Sequence, residues 1–143
     1  QFRSKEKYAR ELLNMMHEKC LVFCNTTDQA DRISVNRYHS KNSMSEDALL
    51  AFKEGKIDEL TCVQQLNEGI NIPNLKYGII LHAYSNERKA SQRIGRLLRL
   101  NPQDKAIVHI LCYKGTVDEK WVKDALEGFD QSKILWKDYG VKL

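Results

Sequence analysis

The run Cys20-Leu21-Val22-Phe23-Cys24 is apolar at every position, and that continuity restricts what the chain can fold into. A strand with one face in water alternates polar and apolar residues. A strand that reads apolar throughout is covered on both faces, as in a parallel sheet packed between helices. Further strand-like runs follow at 59–63, at 77–82 (Tyr77-Gly78-Ile79-Ile80-Leu81-His82) and at 106–112, with a weaker one near 36–40. Helical periodicity fills the intervals. Residues 5–18 place Tyr8, Leu12, Met15 and Met16 at i, i+4, i+7 and i+8. Thr26 or Thr27 can cap a helix over 28–36 with Ala30 and Ile33 inward, and Ser43 or Ser45 one that carries Leu49, Leu50 and Phe52 and stops at Gly55. Helices over 87–99 and 117–127 complete the series. Strands that alternate with helices build βαβ units, so the expected fold is α/β, in three layers around a mainly parallel central sheet.

The length of 143 residues suits one domain and is too short for two independent cores. No repeat, low-complexity tract or linker divides it. It reads as a single unit over 1–143: a leading helix (1–18), a core (19–125) and a tail (126–143). The tail is compatible both with packing on the domain and with an interface to further sequence. An apolar fraction of 42% and a charged fraction of 29% are those of a globular chain. No run approaches the ~20 apolar residues of a membrane span, and the N-terminus, Gln1-Phe2-Arg3-Ser4-Lys5-Glu6-Lys7, has no secretory pattern. A cytoplasmic or nucleoid-associated protein is expected. The start at Gln1 instead of Met points to a piece of a longer chain. The net charge of +4 is compatible with nucleic acid without indicating it. Cys20, Cys24, Cys62 and Cys112 lie in or beside apolar runs. They lack the second Cys/His pair that a zinc site needs, so they are expected to be reduced and structural, with no metal bound.

In doubly wound sheets the functional edge lies where strands end and helices begin, which directs attention to 25–28, 40–43, 63–73, 83–88 and 113–117. Two segments carry chemistry. In Ser91-Gln92-Arg93-Ile94-Gly95-Arg96-Leu97-Leu98-Arg99, residues Ala90, Ile94, Leu97 and Leu98 share one helical face. Gln92, Gly95, Arg96 and Arg99 share the opposite one. Two guanidinium forks one turn apart, beside a glycine that leaves room, suit a phosphate, although a solvated amphipathic helix has the same pattern. In Leu66-Asn67-Glu68-Gly69-Ile70-Asn71-Ile72-Pro73, Gly69 permits close backbone approach and Asn71 offers a donor and an acceptor to a ribose or base.

Taken in order, Leu21-Val22-Phe23-Cys24-Asn25, Ala51-Phe52-Lys53-Glu54-Gly55, the segment 66–73 and Gln92-Arg93-Ile94-Gly95-Arg96-Leu97-Leu98-Arg99 resemble motifs IV, V and VI of superfamily-2 helicases. The pattern Gln-x-x-Gly-Arg-x-x-Arg looks like motif VI, and 66–73 is similar to motif V of the restriction-enzyme and DNA-repair branches. The likeness spans about residues 19–125. It implies a RecA-like domain of the P-loop NTPase type, the second of two in a helicase or translocase. By position, Arg99 would be the arginine finger, Arg96 its companion at the γ-phosphate and Gln92 a sensor of nucleotide state. Gly69, Asn71 and Gly95 would border the nucleotide. Asn25, Thr26, Thr27, His39, Gln64 and Gln65 would face the nucleic-acid backbone, although a histidine placed like His39 after a short strand is more often a surface or capping residue. Two departures stand out. Asn71 occupies a place where many relatives carry Asp, and Gln64-Gln65 one where an acidic or small residue is frequent.

The P-loop itself is lacking. Gly55-Lys56 is followed by Ile57 and has Leu50 where the first glycine belongs. Glu46-Asp47, Asp118-Glu119 and Asp58-Glu59 sit at helix starts or before a strand, where capping and dipole effects explain them. Without a phosphate cradle or a magnesium carboxylate, this domain alone is expected to be inactive. ATP and Mg2+ would be held by an N-terminal RecA-like domain of the same polypeptide, with DNA, or else RNA, gripped through its backbone. The isolated domain is expected to be monomeric. The alternative is a stand-alone nucleic-acid-binding or regulatory module on the same fold.

Overall fold

The computed structural model describes residues 3–15, 18–24, 26–34, 37–38, 45–63, 71–81, 87–101 and 106–137. Among the described residues, five strands form one parallel sheet in the order β2-β3-β1-β4-β5. They are β1 (Cys20–Phe23), β2 (Arg37–Tyr38), β3 (Glu59–Cys62), β4 (Tyr77–Ile80) and β5 (Ile107–Ile110). The continuously apolar β1 lies at the centre and is buried at all four positions, as its composition requires.

The pleat sorts side chains into two cores. Leu21 and Phe23 point to the face covered by α3 (Ser45–Glu54), α4 (Glu87–Leu98) and α5 (Val117–Leu126), where Phe52, Ile94, Leu97 and Ala125 meet them. Cys20 and Val22 point to the other face, against Ala9, Leu12 and Leu13 of α1 (Arg3–Met15) and Ala30 and Ile33 of α2 (Thr27–Ile33). The three-layer architecture is the one the strand–helix alternation predicts.

Local chemistry sets the element ends. Thr26 is the cap of α2, its hydroxyl oxygen accepting from Gln29 N–H at 3.1 Å. Gly55, at φ +84°, ends α3 in a Schellman turn: Lys56 N–H donates to Ala51 C=O at 2.9 Å and Gly55 N–H to Phe52 C=O at 3.2 Å. The same end is tied down by buried Lys19, whose Nζ donates to the carbonyls of Lys53 (2.9 Å) and Pro73 (2.7 Å). Burial lowers the Lys19 pKa, with the Asp58 charge acting in the opposite direction.

Some expectations are corrected. Helix α1 ends at Met15, which is 68% exposed, and Leu50 is 52% exposed. At about 100° per residue, the inward stripe of α1 centres on Ala9, Leu12 and Leu13, which leaves Met15 well outside it. Glu59 is the first residue of β3, as the strand reading over 59–63 has it and not ahead of the strand as the reading of Asp58-Glu59 has it. It receives a two-pronged contact from Arg10 of α1, with Nη1 at 3.0 Å and Nη2 at 3.2 Å. The four cysteines are free thiols, three of them buried. Through residue 137 the tail folds back. Gln131 Nε2 donates to Leu126 C=O and Phe129 C=O, both at 2.8 Å, and Lys123 Nζ stands 5.6 Å from the ring of Trp136. Burial lowers the pKa of His109 on β5, and the nearby Lys137 charge adds to the effect. No described helix is long and apolar enough to cross a membrane.

Candidate functional site at the end of helix α4

Helix α4 packs on the sheet through Ala90, Ile94 and Leu97. Its closeness is set by Gly78 in β4, where a Cβ would lie 2.5 Å from Leu97 Cδ2. Seated this way, the helix turns Gln92 to solvent and leaves Arg96 half-buried. Arg99 lies one residue beyond the helical stretch, in a turn closed by its N–H on Arg96 C=O at 3.0 Å, and is exposed. The guanidinium of Arg99 folds back over Gly95: a Cβ there would meet Nη1 at 3.2 Å and Nη2 at 3.6 Å. Gly95 is therefore buried beneath Arg99, not open to solvent as a plain helical wheel has it. The absent side chain is what lets the guanidinium lie flat on the helix.

The chain leaving α4 is joined to the segment that carries Asn71. Ile72 N–H donates to Leu100 C=O at 2.7 Å, and buried Asn101 donates from Nδ2 to Leu75 C=O at 3.3 Å. Between these bonds, Leu75 N–H closes on Ile72 C=O at 3.2 Å with Asn74 at φ 64°, a left-handed position that asparagine tolerates. Exposed Asn71 and exposed Arg99 thus flank two residues bonded to each other. Residues distant in sequence meet at one edge of the sheet.

That edge corrects the sequence-based expectation, which placed the functional segments at the carboxyl ends of the strands. Helix α4 runs back from the end of β4, so Arg99 and Asn71 lie at the amino-terminal edge. Lys19, just before β1, bonds Pro73, and Ile107 N–H bonds Lys76 C=O at 2.8 Å beside them. Thr26 and Thr27 lie at the carboxyl edge, after β1. Asn25, His39, Gln64, Gln65 and Gly69 fall outside the described residues.

Two arginines, an exposed amide and a glycine that seats a guanidinium suit an anionic phosphate ester: the fork donates to paired oxygens and keeps its charge at any working pH. Among the described residues there is no group of three His, Cys, Asp or Glu side chains that could hold a metal ion.

Two polar clusters were not found from sequence. Arg93 is 5% exposed, with its guanidinium 5.2 Å from the ring of Phe23. The signal was its spacing, three residues after Ala90 and four before Leu97, which a charge-based reading overrides. Lys5 of α1 pairs with Asp118 at 2.6 Å, donates to Leu81 C=O at 2.9 Å and stands 4.9 Å from the ring of Tyr113. Asp118 also accepts from Tyr113 N–H at 2.9 Å. No local pattern joins residues so far apart in sequence.

Residues 4–101 match the helicase conserved C-terminal domain family. The chain is 30% identical over 122 residues to the DNA 3'-5' translocase XPB2 of Sulfurisphaera tokodaii, a match covering 80% of this chain and 28% of that protein. The chain therefore spans under a third of this relative's length. Among solved structures it is similar to Mss116p DEAD-box helicase domain 2 bound to an RNA duplex, with a TM-score of 0.69 and 16% identity, covering 94% of this chain and 58% of that one. It is also similar to the E. coli DEAD-box protein SrmB bound to RraA, with a TM-score of 0.68 and 15% identity, covering 91% of this chain and 81% of that one.

Proposed function

Because the chain belongs to the helicase conserved C-terminal domain family of superfamily 2 and has its RecA-like fold, we propose that it is the second half of an ATP-driven nucleic-acid motor, with DNA as the favoured track. On this reading a first RecA-like domain of the same polypeptide holds ATP and Mg2+, and this chain closes the site from its α4 edge. The observation that carries the proposal is the Arg99 guanidinium lying on Gly95 at the edge where Asn71 is also held.

ATP supplies the phosphoryl bond that is broken. Arg99 and Arg96 place fixed positive charge where negative charge develops on the transferred group, and in related motors an arginine finger contributes ~10³–10⁵ in rate. Gln92, one turn before Arg96, reports nucleotide state to the opposing domain. Asn71 hydrogen-bonds the sugar, with Gly69 bordering the nucleotide and Gly95 seating the Arg99 guanidinium. Thr26 and Thr27, at the other edge, contribute to the track surface, and the family likeness adds Asn25, His39, Gln64 and Gln65 to it. The Thr26 oxygen already accepts from Gln29 N–H, so what its hydroxyl has left to offer a phosphate is its proton. Contacts directed at phosphates give grip with little sequence preference. The DNA preference rests on the style of the 66–73 segment and on the named activity of the XPB2 relative.

In the full-length protein, Arg99→Ala is expected to lower nucleic-acid-stimulated ATP turnover by at least about 10³-fold while ATP affinity stays within about threefold. Near-normal turnover in that variant would refute the finger assignment. A full-length sequence with no Gly-x4-Gly-Lys-Ser/Thr and no Asp-Glu box ahead of this domain would favour the stand-alone binding module instead.

A further inference from the structure

The two outer strands of the sheet are finished differently. On one side β2 has two residues, and its Arg37 is paired with Asp31 at 3.0 Å. Shortness and charge are usual means of keeping an edge strand from pairing with other chains. On the other side β5 has four residues, Ile107-Val108-His109-Ile110, with no lysine, arginine or acid among them, and Ile107 is 59% exposed. Burial and the Lys137 charge lower the His109 pKa, so this histidine is uncharged at neutral pH.

The backbone of β5 is half used. Ile107 N–H bonds Lys76 C=O at 2.8 Å and Leu111 N–H bonds Ile80 C=O at 2.9 Å. Alternate residues of a strand turn their backbone groups to opposite sides, so the N–H and C=O of Val108 and Ile110 point away from β4. Among the described residues no strand pairs with them. Lys137, near His109, follows two apolar residues of the tail, Leu135 at 79% and Trp136 at 51% exposed. Lys123 stands 5.6 Å from the Trp136 ring, with the Glu119 carboxylate 4.0 Å from its Nζ. Exposed Lys76 lies at the start of β5, beside Ile107.

Backbone groups spaced as those of Val108 and Ile110 are satisfied by a partner in extended conformation. Lys76, Lys123 and Lys137 favour one that carries acidic side chains. We propose that β5 is a docking edge for an acidic, extended segment of another protein, which adds to the sheet beside Val108 and Ile110 and sets apolar side chains against Leu135 and Trp136. Main-chain bonds supply the grip, and the lysines select which segments are taken.

The test is a titration of this chain, followed through its amide resonances, with a capped peptide of alternating aspartate and valine about eight residues long. Shifts are expected at Val108 and Ile110, with binding at least about tenfold tighter than for the peptide with lysine in place of aspartate. Val108→Pro removes an outward N–H, leaves the bonds to β4 in place and should weaken binding at least about tenfold. Lys137→Glu, on the exposed tail, should weaken it at least about threefold, and it decides the matter if the proline variant fails to fold. Equal binding of the two peptides, no shift at about 1 mM peptide, or undiminished binding in either folded variant would overturn the proposal. Self-association of the chain alone that Val108→Pro abolishes would overturn it too, and would give the edge to a second copy.

Discussion

Gly95 and Arg99 act as one unit, because the guanidinium occupies the space a side chain at 95 would take. The contact is with the far end of a flexible chain, so Gly95→Ala should fold. Replacing a helical glycine with alanine should stabilise the isolated domain by roughly 0.5–1 kcal/mol, read as a higher urea midpoint. In the full-length protein the displaced guanidinium should cost at least about tenfold in turnover. A stabilised variant with undiminished turnover would show that Arg99 works from another position. At this scale the sequence was informative where spacing alone decides: Gln92 and Arg96 lie one turn apart on α4, with Arg99 in the turn that follows. It misled over Gly95 and was silent on Arg93, since both depend on where a long side chain lies once the backbone is in place.

Element boundaries were legible to within a few residues because their punctuation is local. Thr26 as cap and Gly55 in a Schellman turn are properties of four- to six-residue windows. The strand order, and with it the edge that receives each loop, depends on pairing between distant segments and was not legible. The packing of α4 on β4 is likewise non-local. At Gly78 a Cβ would fall 2.5 Å from Leu97 Cδ2 and 2.8 Å from its Cγ, and Leu97 is fully buried with no room to give. Gly78→Ala should therefore destabilise the domain by about 1–3 kcal/mol, measured by urea unfolding. A loss below about 0.5 kcal/mol would mean the helix can lift from the sheet at small cost.

Across the whole molecule, both cores must stay closed for the two edges to keep their relation, and the cysteines report on this. Burial, with a smaller effect of Glu59, pushes Cys20 up to about 12, and Cys24 is held at about the same value. Cys62 is fully enclosed, whereas Cys112 is half-exposed. Thiol reagents attack the thiolate. At pH 8 the native domain should therefore label at Cys112 alone, and all four cysteines should label once it is unfolded. Prompt reaction of a second thiol in the native domain, read by mass spectrometry, would reveal opening of a core. The Lys5–Asp118 pair adds to this closure, since it joins the first turn of α1 to the start of α5 and to the end of β4 at Leu81.

The bare backbone at Gly78 has a consequence for how force is borne. With no side chain to serve as a spacer between α4 and β4, the helix has no slack in its bed, and a push on its arginines cannot be absorbed by local give. Load arriving at that end passes directly into the sheet, and helix and sheet answer it as one stiff body.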